Sequence, residues 1–217
     1  LNCLVAAQVA AGDDFGMCIQ TFEASDLTYE VKRDIVSAAE VSLQLYTGLA
    51  MGADVFEYFA YNSYGDFNGI MNQDGSKRIY DLVQEGNQAL CFADVVNSFT
   101  WNGIVTSAGS SNSHNADAFN SVADMILTNI SNGVLDSYTS TDDAIIGCFT
   151  KGDLNGYMVV NYTAPDLNQT NMVTLTFPGC TTALVYTEEG TEQVDLVEGG
   201  ILRVTLDCGQ AAFVIPV

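Results

Sequence analysis

The sequence predicts an α/β segment followed by an all-β antiparallel domain of sandwich type, with the change of character near Trp101. Three observations carry this. Up to residue 100, apolar runs of strand length alternate with stretches whose apolar residues recur every three or four positions, the pattern of βα construction. Beyond Trp101, short β-type runs are separated at regular intervals by turn signals rich in Gly, Asn and Asp. Hydrophobic residues make up 48% and charged residues 15% of the 217, a composition that folds and buries a core. The expected domains are 1–100 and 101–217.

Residues 1–13 read as the Ala-rich end of a helix closed by Gly12. Phe15–Phe22 (FGMCIQTF) is an apolar run of strand length, followed by a polar loop over Glu23–Thr28. Tyr29–Gly52 is a long helix, with Val31, Ile35, Ala38, Val41, Leu45 and Leu49 at helical spacing. Val55–Tyr61 (VFEYFAY) is a second strand, and Arg78–Asn97 a further helix beyond the polar loop Asn62–Lys77. Neither strand alternates with polar residues, so both are expected to be buried on two faces.

In the second half, Ser107–Asn115 reads as loop and Ala116–Leu127 as a short helix. Strands are expected at Val134–Thr139, Ala144–Thr150, Gly156–Thr163, Met172–Phe177, Ala183–Thr187, Gln193–Val197, Ile201–Leu206 and Ala211–Ile215. Turns fall at 152–156, 165–171, 188–190 and 198–200. Ile201–Leu206 mixes Ile, Leu and Val with Arg and Thr, which suits one wet and one buried face.

The chain carries 27 Asp and Glu against 6 Lys and Arg, a net charge of −21. Such a surface repels phosphate backbones and anionic membranes, so no nucleic-acid or membrane partner is expected. No apolar run reaches the ~18 residues of a membrane helix, and no signal peptide opens the chain, which leaves its compartment open. The six cysteines are scattered and none lies near His114, so neither a zinc site nor any other cofactor is expected. Cys18 and Cys148 read as buried small hydrophobes, and a Cys180–Cys208 disulfide stays open. Asp13–Asp14 and Asp142–Asp143 lack EF-hand spacing and read as turn acids. His114 has no triad partner, and Lys32 and Arg33 read as surface charges. Sequons stand at Asn129, Asn161 and Asn168 and matter in a eukaryotic secretory pathway.

CIQTF (18–22), a helix ending LAMGA (49–53), VFEYFAY (55–61) and NGIMNQDGSKRIYDLVQEGN (68–87) together resemble the end of a (β/α)₈ glycoside hydrolase barrel of the bacterial β-galactosidase type. The matching residues are Leu49 to Ala53, Tyr58 to Tyr61, Asp74-Gly75 with Tyr80, and Asn87. The segment GCFTKGDLNGYMVVNYT resembles the C-terminal β-domain of such enzymes. One departure is Asn62, where the family's last strand ends in Trp. The resemblance implies a carbohydrate substrate, the end of a TIM-type barrel, and a missing N-terminal barrel half in the same protein or another chain. Two strands cannot close a barrel of eight.

Retaining glycosidases need two carboxyl groups ~5 Å apart, at C-terminal strand ends in a barrel. Glu23, just past the first strand, is the candidate nucleophile, or an exposed loop acid. Glu57, inside the second strand, is the candidate acid if it faces the barrel interior, or else a helix-facing residue paired with Lys or Arg. Gln20, Tyr61, Asn62 and Tyr64 lie at or past strand ends and offer amides and phenols to a hydroxyl-rich ligand. Two functions follow: the C-terminal portion of a glycoside hydrolase, or a non-catalytic carbohydrate-binding or structural protein. In the second, Tyr138, Tyr157, Tyr162 and Tyr186 would form the binding face.

Overall fold

The computed structural model describes residues 15–24, 35, 37–65, 67–106 and 133–217. In chain order, β1 (Gly16–Gln20) and the two-residue β2 (Glu23–Ala24) precede α1 (Ala38–Ala50). β3 (Val55–Phe59) and β4 (Phe67–Asn68) follow it. β1 and β3 pair in parallel, from Gly16 opposite Val55 to Gln20 opposite Phe59, and α1 makes the crossover between them. A parallel pair requires such a connection.

The start of α1 is set by a capping box. Ser37 Oγ accepts from the Glu40 N–H, and the Glu40 carboxylate accepts from the Ser37 N–H, so two otherwise orphaned donors are satisfied. Val41, Leu45, Tyr46 and Leu49 then face the core, fully buried. Gly52 ends the helix at φ 77°, the left-handed region that glycine occupies without strain.

The expected burial of both strands on two faces holds on one face only. Met17, Phe56 and Tyr58 pack against the core that contains α1, and Ile19 is fully buried in it. Cys18, Val55, Glu57 and Phe59 alternate onto the opposite face and are exposed. The reason is simple: among the described residues this sheet has two strands, and a helix covers one side. Cys18 is thus exposed, against its expected burial, while Cys148 is largely buried.

The helix expected over Arg78–Asn97 is broken into three pieces. α2 (Tyr80–Gly86) passes into a 3₁₀ stretch over Asn87–Phe92 and then α3 (Ala93–Val96). Gly86 marks the break because α2 meets α1 there. A Cβ at Gly86 would lie 2.6 Å from Val41 Cβ and 2.9 Å from the Ala38 carbonyl oxygen. Glycine permits the approach and weakens the helix at the same point.

The second half forms two antiparallel sheets. Its strands are β5 (Thr100–Thr106), β6 (Ser137–Ser140), β7 (Ala144–Lys151), β8 (Leu154–Asn161), β9 (Asn171–Thr176), β10 (Thr182–Thr187), β11 (Gly190–Asp195), β12 (Ile201–Leu206) and β13 (Ala211–Pro216). One sheet runs β11-β10-β13-β8-β7-β5, the other β12-β9-β6. Their facing side chains form a shared core that includes Ile146, Val159, Val173, Leu175, Val204 and Val214. The six-stranded sheet is also covered on its outer face. Ile145, Met158 and Phe213 join the core of α1, and Trp101 Nε1 donates to the Ala50 carbonyl at 3.0 Å. Two covered faces explain the unbroken apolar runs AIIGCF and AAFVI in β7 and β13. β12 keeps one wet face, with Arg203 and Thr205 exposed between buried Leu202, Val204 and Leu206.

Several expected strand ends move. The turn placed at 152–156 is only Gly152 and Asp153, and β8 starts at Leu154. Glu188 and Glu189 alone connect β10 to β11, which starts at Gly190 and not Gln193. β6 starts at Ser137 and not Val134. Two-residue hairpin loops keep flanking residues in the ladder, so turn-type residues such as Asn155 and Thr191 become strand. Cys180 and Cys208 are not joined by a disulfide, which decides the pairing that the sequence left open. Residues 1–14, the loop expected up to Thr28, the helical turns expected at 29–34, the loop expected at Ser107–Asn115, the helix expected at Ala116–Leu127, His114, Lys32, Arg33, Asp13–Asp14 and Asn129 lie outside the described residues.

Candidate active site

β1 and β3 end side by side, and the chain just beyond them is tightly built. The Thr21 N–H donates to the Phe59 carbonyl at 2.9 Å, extending the parallel ladder by one step. Next, β2 and β4 form a short antiparallel ladder in which Glu23 lies opposite Asn68 and Ala24 opposite Phe67. This ladder brings two loops over the strand ends. Ser63 locks the second loop: its Oγ accepts from the Gly69 N–H at 2.8 Å and donates to the Met71 carbonyl at 2.6 Å. Gly69 is required there, since a Cβ would stand 2.6 Å from the Ala60 carbonyl oxygen. Arg78 joins the loops, donating to the Gly69 carbonyl and, at 3.4 Å, to the Thr21 carbonyl.

Gln20 is clasped from α1. Its N–H donates to Gln44 Oε1 at 2.8 Å, and Gln44 Nε2 donates back to the Gln20 carbonyl at 3.2 Å. Its own amide donates to the Phe22 carbonyl at 3.4 Å. Glu23 is half-buried, and its carboxylate accepts from Asn68 Nδ2 at 3.3 Å.

Phe22 and Phe67, the sequence neighbours of Glu23 and Asn68, belong to an aromatic group on the other face of the ladder. Phe22 meets Phe59 edge-on at 5.5 Å and Phe67 at 5.7 Å, and Tyr64 stacks on Phe67 at 5.6 Å. Phe59, Tyr61 and Tyr64 are 42%, 54% and 57% exposed. Apolar rings left in water beside a carboxylate and two amides suit a ring-shaped ligand rich in hydroxyls, bound by stacking and hydrogen bonds.

Five of the six predicted site residues, Gln20, Glu23, Tyr61, Asn62 and Tyr64, fall at this end of the strands. Asn62 is exposed and bridged to Met71. Glu57 does not join them. It lies two residues before Phe59 on the same open face, set back by roughly 7 Å along the strand. It faces away from α1, so the helix-facing alternative with a Lys or Arg partner does not hold. Phe22, Phe59, Phe67, Asn68 and Arg78 were not singled out by sequence. Phe67 and Asn68 sit in a Gly- and Asn-rich loop, and only the β2–β4 pairing reveals them. Tyr138, Tyr157, Tyr162 and Tyr186 form no display face: Tyr157 is buried under Phe177, and the other three are half-buried. Among the described residues no group of three His, Cys, Asp or Glu side chains is placed to hold a metal ion. Asp142 caps its own turn, accepting from the Asp143 N–H at 2.8 Å.

No family model matches the chain, and no curated protein matches it. Solved structures to which it is similar include glycoside hydrolases. An α-amylase from Geobacillus thermoleovorans, complexed with acarbose, aligns over 83% of this chain and 33% of its own, with 10% identity and a TM-score of 0.43. A GH30 endoxylanase from Clostridium papyrosolvens aligns over 95% and 42%, with 10% identity and a TM-score of 0.36. An α-amylase from Malbranchea cinnamomea aligns over 94% and 37%, with 13% identity and a TM-score of 0.38. The chain spans 33–42% of the length of these structures, and the scores stand below those of chains sharing one fold.

Proposed function

We propose that this chain is the C-terminal portion of a glycoside hydrolase acting on O-glycosidic bonds. In this reading residues 1–100 supply the last βα units of a β-galactosidase-like (β/α)₈ barrel, and residues 101–217 the sandwich behind it. The observation that carries the reading is the cluster at the C-terminal ends of β1 and β3. There the β2–β4 ladder carries the Glu23–Asn68 pair on one face and, on the other, Phe67 with the rings of Phe22, Phe59 and Tyr64 packed on it. Barrel enzymes place their chemistry at that end of the strands. In this reading the open face of β1 and β3, opposite the helix, would line the barrel interior.

Glu23 is the nucleophile in this reading. Its carboxylate would attack the anomeric carbon while an acid, Glu57 or a carboxyl from upstream barrel units, protonates the leaving oxygen. Gln20, Tyr61, Asn62 and Tyr64 would bind the sugar. The set-back position of Glu57 and Asn62 in place of Trp favour a second reading, in which the same cluster binds carbohydrate without cleaving it.

The test is hydrolysis of a panel of aryl glycosides by the full-length protein. Glu23→Gln should lower kcat roughly a thousandfold or more. Unchanged turnover in that variant would remove Glu23 from the mechanism. Saturable sugar binding with no hydrolysis in the unmodified protein would favour the second reading.

A further inference from the structure

Two N-x-Thr sequons lie among the described residues, Asn161-Tyr162-Thr163 and Asn168-Gln169-Thr170. They are alike in sequence and opposite in structure. Asn161, at the end of β8, has no exposed surface. Its Nδ2 donates to the carbonyls of Gln169, Leu206 and Asp207 at 3.0, 3.1 and 3.1 Å. Its Oδ1 accepts from the Thr163 N–H at 3.1 Å and from Thr163 Oγ1 at 2.6 Å. The Asn161 amide therefore ties β8 to the end of β12, and the Thr163 hydroxyl is spent on Asn161 itself.

Asn168 stands on the surface, with Leu167, Gln169 and Thr170 also exposed. It closes the 3₁₀ turn Pro165–Leu167 at φ 47°, ψ 46°, a left-handed conformation that asparagine tolerates. The two sites are linked, because the Asn161 amide holds the Gln169 carbonyl and so fixes the loop that displays Asn168.

We propose that, of the two described sequons, Asn168 and not Asn161 accepts an N-glycan when this chain passes through a eukaryotic secretory pathway. In the transfer, a bond forms between asparagine Nδ2 and the anomeric carbon of the sugar. The sugar–phosphate bond of the lipid-linked donor breaks, and Nδ2 gives up one proton. At Asn168 the new group projects into water. At Asn161 it removes one of the two hydrogens that three carbonyls share and needs volume where β8 and β12 meet. A chain modified there before folding cannot close that junction, so it is absent from the folded secreted pool.

The experiment expresses the full chain behind a cleavable secretion signal in a eukaryotic host. Secreted protein is deglycosylated enzymatically in heavy-oxygen water, and labelled Asp is mapped by mass spectrometry. Label at position 168 and none at 161 is the expected result. Asn168→Gln should lose one glycan's mass. Label at 161 in folded secreted protein overturns the proposal, and so does an unlabelled 168.

Discussion

The phenol of Tyr46 donates a 2.6 Å hydrogen bond to the Glu188 carboxylate, fastening α1 to the β10–β11 turn. The ring of Tyr46 is fully buried and stacks on Phe92 at 5.9 Å, so only its oxygen reaches the turn. Tyr46→Phe keeps the packing and removes the bond. Because Glu188 is exposed, its carboxylate stays hydrated after the change, and the cost falls at about 1 kcal/mol. Urea unfolding of Tyr46→Phe, Glu188→Ala and the double variant checks this. A double variant no less stable than either single one is expected. Additive losses would show that the bond contributes nothing.

Stability should fall steeply at alkaline pH. Burial, then the hydrogen bond and charge of Glu188, push the Tyr46 phenol above its usual range. Burial raises Tyr138 and Tyr157 to about 12, and the Cys148 thiol to about 12. In the unfolded chain a thiol ionises near ~8.5 and a phenol near ~10. Between those values and about 12, unfolding releases protons that the folded protein retains, so stability drops as pH rises. Below pH ~8 these groups are protonated in both states and contribute no slope. Melting curves from pH 7 to 11 should be flat at first and then decline. Cys148→Ala should move the onset of the decline upward. A melting temperature rising between pH 9 and 11 would contradict the assignment.

Gly147→Ala should separate the two halves of the molecule. Gly147 on β7 lies against the backbone of α1, and a Cβ there would stand 2.8 Å from Ala50 Cα. Backbone cannot rotate aside as a side chain can, so α1 must shift from the six-stranded sheet. A loss of about 1–3 kcal/mol is expected, read by denaturant unfolding. Gly152→Ala, at an open turn position with φ 59°, serves as the comparison for pure backbone strain, which costs about 1 kcal/mol. Equal losses in the two variants would refute the close-contact argument.

Local pattern explains which parts of this fold were legible beforehand. AAFVI and ILRVTL announce β13 and β12 because burial on two faces or one writes itself into period-two sequence. The position of Gln20 at the end of β1 and of Glu23 just past it was readable from the apolar run FGMCIQTF. The break at Gly86 was not, since it answers to Val41 on another helix, forty-five positions away in sequence. Phe67 and Asn68 were equally hidden. Their significance comes from pairing with Ala24 and Glu23, a non-local contact that no window of sequence contains.

That hidden pairing makes a specific claim about binding. Tyr64 is 57% exposed, and one face of its ring is occupied by Phe67 in a stack inclined at 26°. The rest of the ring is left to solvent beside the β2–β4 ladder. If sugar rings dock here, Tyr64→Ala removes a stacking surface without opening a core. Affinity for the bound saccharide should fall about 5- to 10-fold, equivalent to about 1–1.4 kcal/mol, with little change in melting temperature. Phe67→Ala should cost more affinity, since Phe67 supports Tyr64, Phe22 and Phe59 together. Isothermal titration of the full-length protein with a saccharide that it binds measures both. Equal affinity in Tyr64→Ala and the unmodified protein would place the sugar elsewhere.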